Sequence, residues 1–286
     1  MAEQAMSRRI AVNGVEMMYE EHGSGTRPFV LLHGFTGSRR DFAPRIAELA
    51  ALGRIVLPDL RGHGESTNTG TADGYTLDQL VLDLLAFLDA LGIPRCDLLG
   101  HSMGGMVALR AVLAQPERFA SLVLMDTSAR APADLSRDAV ELAARVAREA
   151  GMPQLATILR ARASSPEAAR TDADRRLEDA WGDRYWDEWR LPNYHAMDPF
   201  AFGALGAALF DQPPLVARLG EIHCPTLVLV GSGDTGFLGA ADELAQAIPG
   251  ARLAVVPDAG HQPQLENPAA WLAALQEHLA RARESV

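Results

Sequence analysis

Six apolar runs, each five residues long, recur along the 286-residue chain: Phe29–His33 (FVLLH), Arg54–Pro58 (RIVLP), Cys96–Gly100 (CDLLG), Ser121–Met125 (SLVLM), Thr226–Val230 (TLVLV) and Arg252–Val256 (RLAVV). Their apolar residues are consecutive rather than alternating, so both faces of each run need cover, as in a buried strand of a parallel sheet. Segments with helical spacing lie between them. Phe42–Leu52 stops at Gly53, Leu77–Leu91 carries a leucine-rich face, and Met103–Ala114 is stopped by Gln115-Pro116. Ahead of the first run, Arg9 to Glu20 alternates about Asn13-Gly14, the signature of a two-residue hairpin. The chain therefore reads as α/β: a mostly parallel sheet of about eight strands with helices on both faces. Right-handed crossovers then bring the strand C-termini to one edge.

The rhythm breaks after residue 128. From 129 to 212 the chain is rich in alanine, arginine and helical spacing, has no convincing strand, and is punctuated by prolines including Pro132, Pro153, Pro166, Pro192 and Pro199. Residues 1–128 and 213–286 are expected to form the core, and 129–212 a helical cap inserted at one end of the sheet. The net charge of −11 disfavours phosphate backbones and anionic membrane surfaces, so no nucleic-acid or membrane partner is expected. The apolar stretch Ala201–Phe210 is far short of the roughly 18–20 residues that span a bilayer. MAEQAMSRR is followed by no apolar segment of signal-peptide type. Cys96 and Cys224 are expected as buried free thiols, and the protein as cytoplasmic.

Chemistry concentrates where strands end. Gly100-His101-Ser102-Met103-Gly104 is a Gly-x-Ser-x-Gly sequence between a strand and a helix, the setting that makes such a serine an exposed nucleophile. A helix N-terminus beside Ser102 favours developing negative charge. Serine needs a base. Of the eight histidines, His261 follows the last strand in Asp258-Ala259-Gly260-His261 and reaches the same edge. The base in turn needs a carboxylate to fix its tautomer. Asp234, after TLVLV, fills that role, with Asp126, after SLVLM, as the competitor. Gly231–Gly236 also matches GxGxxG, but it sits on a late strand with no acid about 20 residues on, so a dinucleotide site is not expected.

These residues fall in motifs that together resemble the α/β-hydrolase-fold family along nearly the whole chain: LHGF (Leu32–Phe35), DLRGHGES (Asp59–Ser66), GHSMGG (Gly100–Gly105), GSGD (Gly231–Asp234) and AGH (Ala259–His261). The chain order Ser102, Asp234, His261 is the order associated with that family. The resemblance implies the α/β-hydrolase fold with a helical cap, and an oxyanion hole from the backbone N–H groups of Phe35 and Met103. It implies hydrolysis of a carboxylic ester or lactone through an acyl-enzyme, without metal or other cofactor. Carbon–carbon bond hydrolysis, a menaquinone-pathway-like lyase reaction, and ligand reception on a hydrolase fold are the alternatives. His33, Asp59, Arg61 and His63 are expected to build loops.

Three of the four tryptophans lie between Trp181 and Phe210, among other aromatics. Trp181, Tyr185 and Trp189 recur every four residues and should share one packed helix face. A minority of the rings should line an apolar or aromatic substrate pocket. Trp181, Trp186, Tyr194 and Phe210 are the candidate contacts there, with His101 beside the nucleophile.

Overall fold

The computed structural model describes residues 7–133, 135–165 and 171–284. Strands β1 (Arg8–Val12) and β2 (Val15–His22) pair antiparallel about Asn13 and Gly14, both at positive φ as this turn requires. Then follow β3 (Phe29–Leu32), α1 (Ile46–Ala50), β4 (Ile55–Pro58), α2 (Leu77–Ala90), β5 (Cys96–His101), α3 (Met103–Ala114) and β6 (Phe119–Met125). Five α-helices come next: α4 (Arg137–Ala150), α5 (Met152–Ala163), α6 (Asp172–Trp181), α7 (Leu191–Ala196) and α8 (Pro199–Asp211). The chain closes with β7 (Thr226–Gly231), α9 (Thr235–Ala247), β8 (Arg252–Val256), α10 (Pro263–Glu266) and α11 (Pro268–Glu284).

The sheet has eight strands in the order β1-β2-β4-β3-β5-β6-β7-β8. Strand β2 runs antiparallel to β4, and β3 to β8 lie parallel with β4. Within one apolar run the two faces divide by strand periodicity. Val30 and Leu32 join the larger core beneath α2 and α3, whereas Phe29 and Leu31 pack on the other face with Trp271, Leu275 and Leu279 of α11. Helix starts follow local chemistry: the Thr76 hydroxyl accepts the Gln79 N–H, and the Asn267 side chain accepts that of Ala270.

One expectation from the sequence needs correction. Phe42–Leu52 is not a single α-helix: residues Arg39–Arg45 form a 3-10 segment containing Pro44, and α-helix covers only Ile46–Ala50. Proline supplies no N–H and disfavours helical geometry at the residue before it, so the α-helix starts beyond it.

Between β6 and β7 the described residues contain no strand. Pro153, Pro192 and Pro199 sit in the first turns of α5, α7 and α8, where a missing N–H costs nothing. Helices α4 and α8 pack together, and Leu215 N–H donates to Ala129 O at 2.8 Å where this segment leaves and rejoins the sheet. Pro166 and the first six residues lie outside the described residues. Both cysteines are free thiols, but only Cys96 is buried, Cys224 being partly exposed beside Pro225, and no described helix is long and apolar enough to cross a membrane.

Candidate active site

Ser102 sits between β5 and α3 at φ 53° and ψ −117°, a conformation a non-glycine residue holds only when its surroundings enforce it. They do so through the main chain. Ser102 N–H donates to Met125 O at 2.9 Å, and the Thr127 hydroxyl donates to Ser102 O at 2.7 Å. The flanking glycines permit the turn. A Cβ on Gly100 would stand 2.3 Å from Gly104 O, and one on Gly104 would stand 2.6 Å from His33 O. The Ser102 side chain makes no cap bond to its own helix. Met103, as the first residue of α3, has no intrahelical acceptor for its N–H. Gly34 lies against the serine, close enough that an added Cβ would be 3.1 Å from Ser102 Cβ, so the loop carrying Phe35 borders the nucleophile.

His261 Nδ1 and Asp234 Oδ2 are 2.7 Å apart, a geometry in which the imidazole N–H donates to the carboxylate and Nε2 is left as the acceptor. Asp234 precedes α9 yet makes no side-chain cap bond to it, so its carboxylate is directed to His261 instead. Burial pushes the Asp234 carboxyl upward, but the hydrogen bond and charge of His261 outweigh it and hold the group below its ordinary value. The approach of the two loops depends on Gly231, where a Cβ would fall 2.0 Å from Gly260 O. Glu266 fixes the His261 loop from below, accepting the N–H groups of Gly260 at 2.6 Å and Gln262 at 3.2 Å.

His101 lies beside this pair, its ring centroid 4.9 Å from that of His261 and its Nε2 2.8 Å from His261 O. Burial and the neighbouring His261 lower its pKa to about 3, so it is neutral near pH 7. Phe237 also packs against the His261 ring, the centroids 5.0 Å apart. Asp126, at φ 47° on the end of β6, is fully buried and accepts the Gly231 N–H at 2.9 Å. Burial, then the adjacent Asp234, push its carboxyl well above the ordinary range. Asp126, Asp234 and His261 offer ligand atoms within 4.8 Å of one another, the one such grouping among the described residues.

The aromatic candidates are dispersed. Trp181 packs edge-on to Trp189 at 5.2 Å in a cluster with Tyr185, Leu177 and Leu265, so the rings expected on one face do share one, although a π-helical stretch (Tyr185–Arg190) follows α6. Trp186 is half-buried against Tyr185. Tyr194 is buried, its hydroxyl accepting from Arg190 at 2.9 Å. Phe210 lies under the Arg137 guanidinium and lines a groove between α4 and α8 that includes none of Ser102, Asp234 and His261. The loop residues behave as structure: Asp59 pairs with Arg39, Arg61 bridges Asp83 at 2.6 and 2.8 Å, and His33 Nε2 accepts the Leu60 N–H. Phe237 and Glu266 escaped the sequence reading, because no periodicity or motif marks either as part of the His261 environment.

A doubly covered parallel sheet carrying a strained serine, a histidine and an acid on its strand-end loops defines a hydrolase-type α/β protein. Residues 27–268 match the model of the alpha/beta hydrolase fold family, and the chain belongs to that family. A thermophilic esterase from Thermogutta terrifontis superposes with a TM-score of 0.79 at 29% identity, covering 98% of this chain and 99% of that one. The enol-lactonase from Burkholderia xenovorans LB400 gives 0.80 at 28%, covering 96% and 100%. By sequence, the Bacillus subtilis (strain 168) protein named "Putative 2-succinyl-6-hydroxy-2,4-cyclohexadiene-1-carboxylate synthase" is 29% identical over 273 residues, 90% of this chain and 92% of that protein.

Proposed function

We propose that this protein is a serine hydrolase of carboxylic esters or lactones, working through an acyl-enzyme on Ser102. The observation that carries the reading is the 2.7 Å His261–Asp234 bond, formed on the edge where the strained Ser102 turn stands. With Nδ1–H given to Asp234, His261 Nε2 accepts the Ser102 proton as the oxygen attacks the ester carbonyl. The oxyanion falls to the N–H groups of Phe35 and Met103, each such donor being worth about 2.7–4 kcal/mol in the transition state. Collapse breaks the bond to the leaving oxygen, which takes the proton from His261. Water, deprotonated by the same imidazole, then releases the acid and restores Ser102.

Helices α4 to α8 act as the cap over this edge, above an apolar or aromatic part of the substrate. The esterase and enol-lactonase likenesses support ester chemistry, and the two free thiols fit a reducing, cytoplasmic setting. The full-length likeness to the Bacillus subtilis protein supports a second reading, in which the same residues serve a lyase reaction. The test is turnover of p-nitrophenyl esters from acetate to octanoate by wild type and Ser102→Ala. Turnover abolished in the variant supports the proposal, and the chain-length optimum sizes the pocket. A folded wild type inactive on every ester overturns it in favour of carbon–carbon cleavage, lyase chemistry or ligand reception.

A further inference from the structure

Behind the His261–Asp234 pair stands a second carboxyl group that the mechanism above does not use. Asp126 Oδ1 accepts the Gly231 N–H at 2.9 Å, whereas Oδ2 is buried with no hydrogen-bond donor directed at it. Asp234 and His261 stand beside it, ligand atoms of all three lying within 4.8 Å of one another. Glu266 adds a further acidic field from the end of α10, and His101 faces the pair from the end of β5. Among the described residues no arginine pairs with either aspartate. Two carboxylates this close in a site of low polarity cannot both ionise, and one proton must be shared between them. Asp234 has a cationic or N–H partner in His261, so its charge is compensated. Asp126 Oδ2 has none, so the proton resides there.

We propose that Asp126 is a positioning residue: its Oδ2–H donates to the Asp234 carboxylate, forming an acid–carboxylate pair that holds Asp234 on His261 Nδ1. The inference rests on the Ser102–His261–Asp234 reading for its kinetic consequences, but not for the location of the proton. The backbone agrees with such a role. Asp126 is held at φ 47°, and Gly231 N–H fixes Oδ1, which leaves Oδ2 a single direction. Burial and the Asp234 charge, which push the Asp126 carboxyl upward, act in the same sense. Asparagine reproduces every bond of the neutral acid: its Oδ1 accepts from Gly231 and its Nδ2 donates to Asp234. Alanine reproduces neither.

The experiment pairs an infrared measurement with kinetics. In the wild-type minus Asp126→Asn difference spectrum at pH 7, a carbonyl stretch of a protonated carboxylic acid is expected. Its absence, with an ionised carboxylate band in its place, overturns the proposal whatever the protein hydrolyses. In p-nitrophenyl ester turnover, Asp126→Ala is expected to lower kcat by about 10–100-fold, with Asp126→Asn restoring it to within a few-fold of wild type. The acid limb of the kcat/KM–pH profile should stay in place in Asp126→Asn. Were Asp126 ionised, that substitution would delete a negative charge beside His261 and move the limb to lower pH by about one unit or more. A protein inactive on esters that shows the acid band loses the esterase reading and keeps the proton assignment. An active protein without the band does the reverse. If Asp126→Ala does not fold, the band and the acid limb of Asp126→Asn decide the matter.

Discussion

Acid should destabilise this protein in large part through histidines buried in the neutral form, and His278 isolates the effect. It lies on α11 beside Leu275 and Leu279, only 3% exposed, with an Nε2 that has no hydrogen-bond partner. Burial, reinforced by the Arg252 charge, lowers its pKa from 6.5 to about 4. The unfolded chain therefore binds a proton at His278 that the folded chain refuses between those two values, so stability falls as pH drops through 6.5. At pH 5 the unfolded state gains roughly RT ln[(1 + 10^1.5)/(1 + 10^−1)], about 2 kcal/mol, and at pH 7 only about 0.2. His278→Leu keeps the volume and removes the titration. Urea unfolding at pH 7 and pH 5 should show the wild type losing about 2 kcal/mol more than the variant over that interval. Equal losses in the two proteins, with unchanged m-values, would refute the claim that His278 is held neutral by burial.

Three further substitutions test the geometry. Asp234→Asn should reduce ester turnover by about 10^4, since an amide N–H facing His261 Nδ1 imposes the wrong tautomer; turnover near wild type would remove Asp234 from the proposed mechanism. Gly104→Ala forces a methyl within 2.6 Å of His33 O and 2.7 Å of Leu32 O, both main-chain atoms that yield little. It should cost about 1–3 kcal/mol in a denaturant titration and at least about 10^2 in turnover, through displacement of the Phe35 loop. Arg39→Ala strips the buried Asp59 carboxylate of its guanidinium partner and should cost about 3–5 kcal/mol in thermal unfolding, because the remaining charge stays buried without its cation.

The sequence exposed the sheet because buried parallel strands need consecutive apolar residues, and six such runs coincide with β3 to β8. The hairpin was legible from Asn13-Gly14, two residue types that tolerate positive φ. Phe42–Leu52 misled because its spacing is helical while Pro44 interrupts the hydrogen-bond ladder. The order of Ser102, Asp234 and His261 could be read from strand-end motifs, and the last two lie in contact. What could not be read was the environment of that contact. Phe237 on the imidazole, Glu266 beneath its loop and the shared burial of Asp126 with Asp234 arise from loops far apart in sequence, where no periodicity links the partners. The aromatic segment was legible as helix and as packing, but a composition rich in rings carries no information on which ring faces which surface. Phe210 under Arg137 illustrates this.

The hydrogen bond from Leu215 N–H to Ala129 O ties together the two points where the five-helix segment departs from and returns to the sheet. Its consequence is modularity. Because the ends of the segment are already adjacent, removing or exchanging everything between them asks for a bridge of only a few residues and little loop-closure entropy. The strands on either side, β6 and β7, are paired directly through Leu122 to Met125, so their register does not depend on what the segment contains. Insertion or deletion at that single seam can therefore change the segment without disturbing the pairing of the sheet.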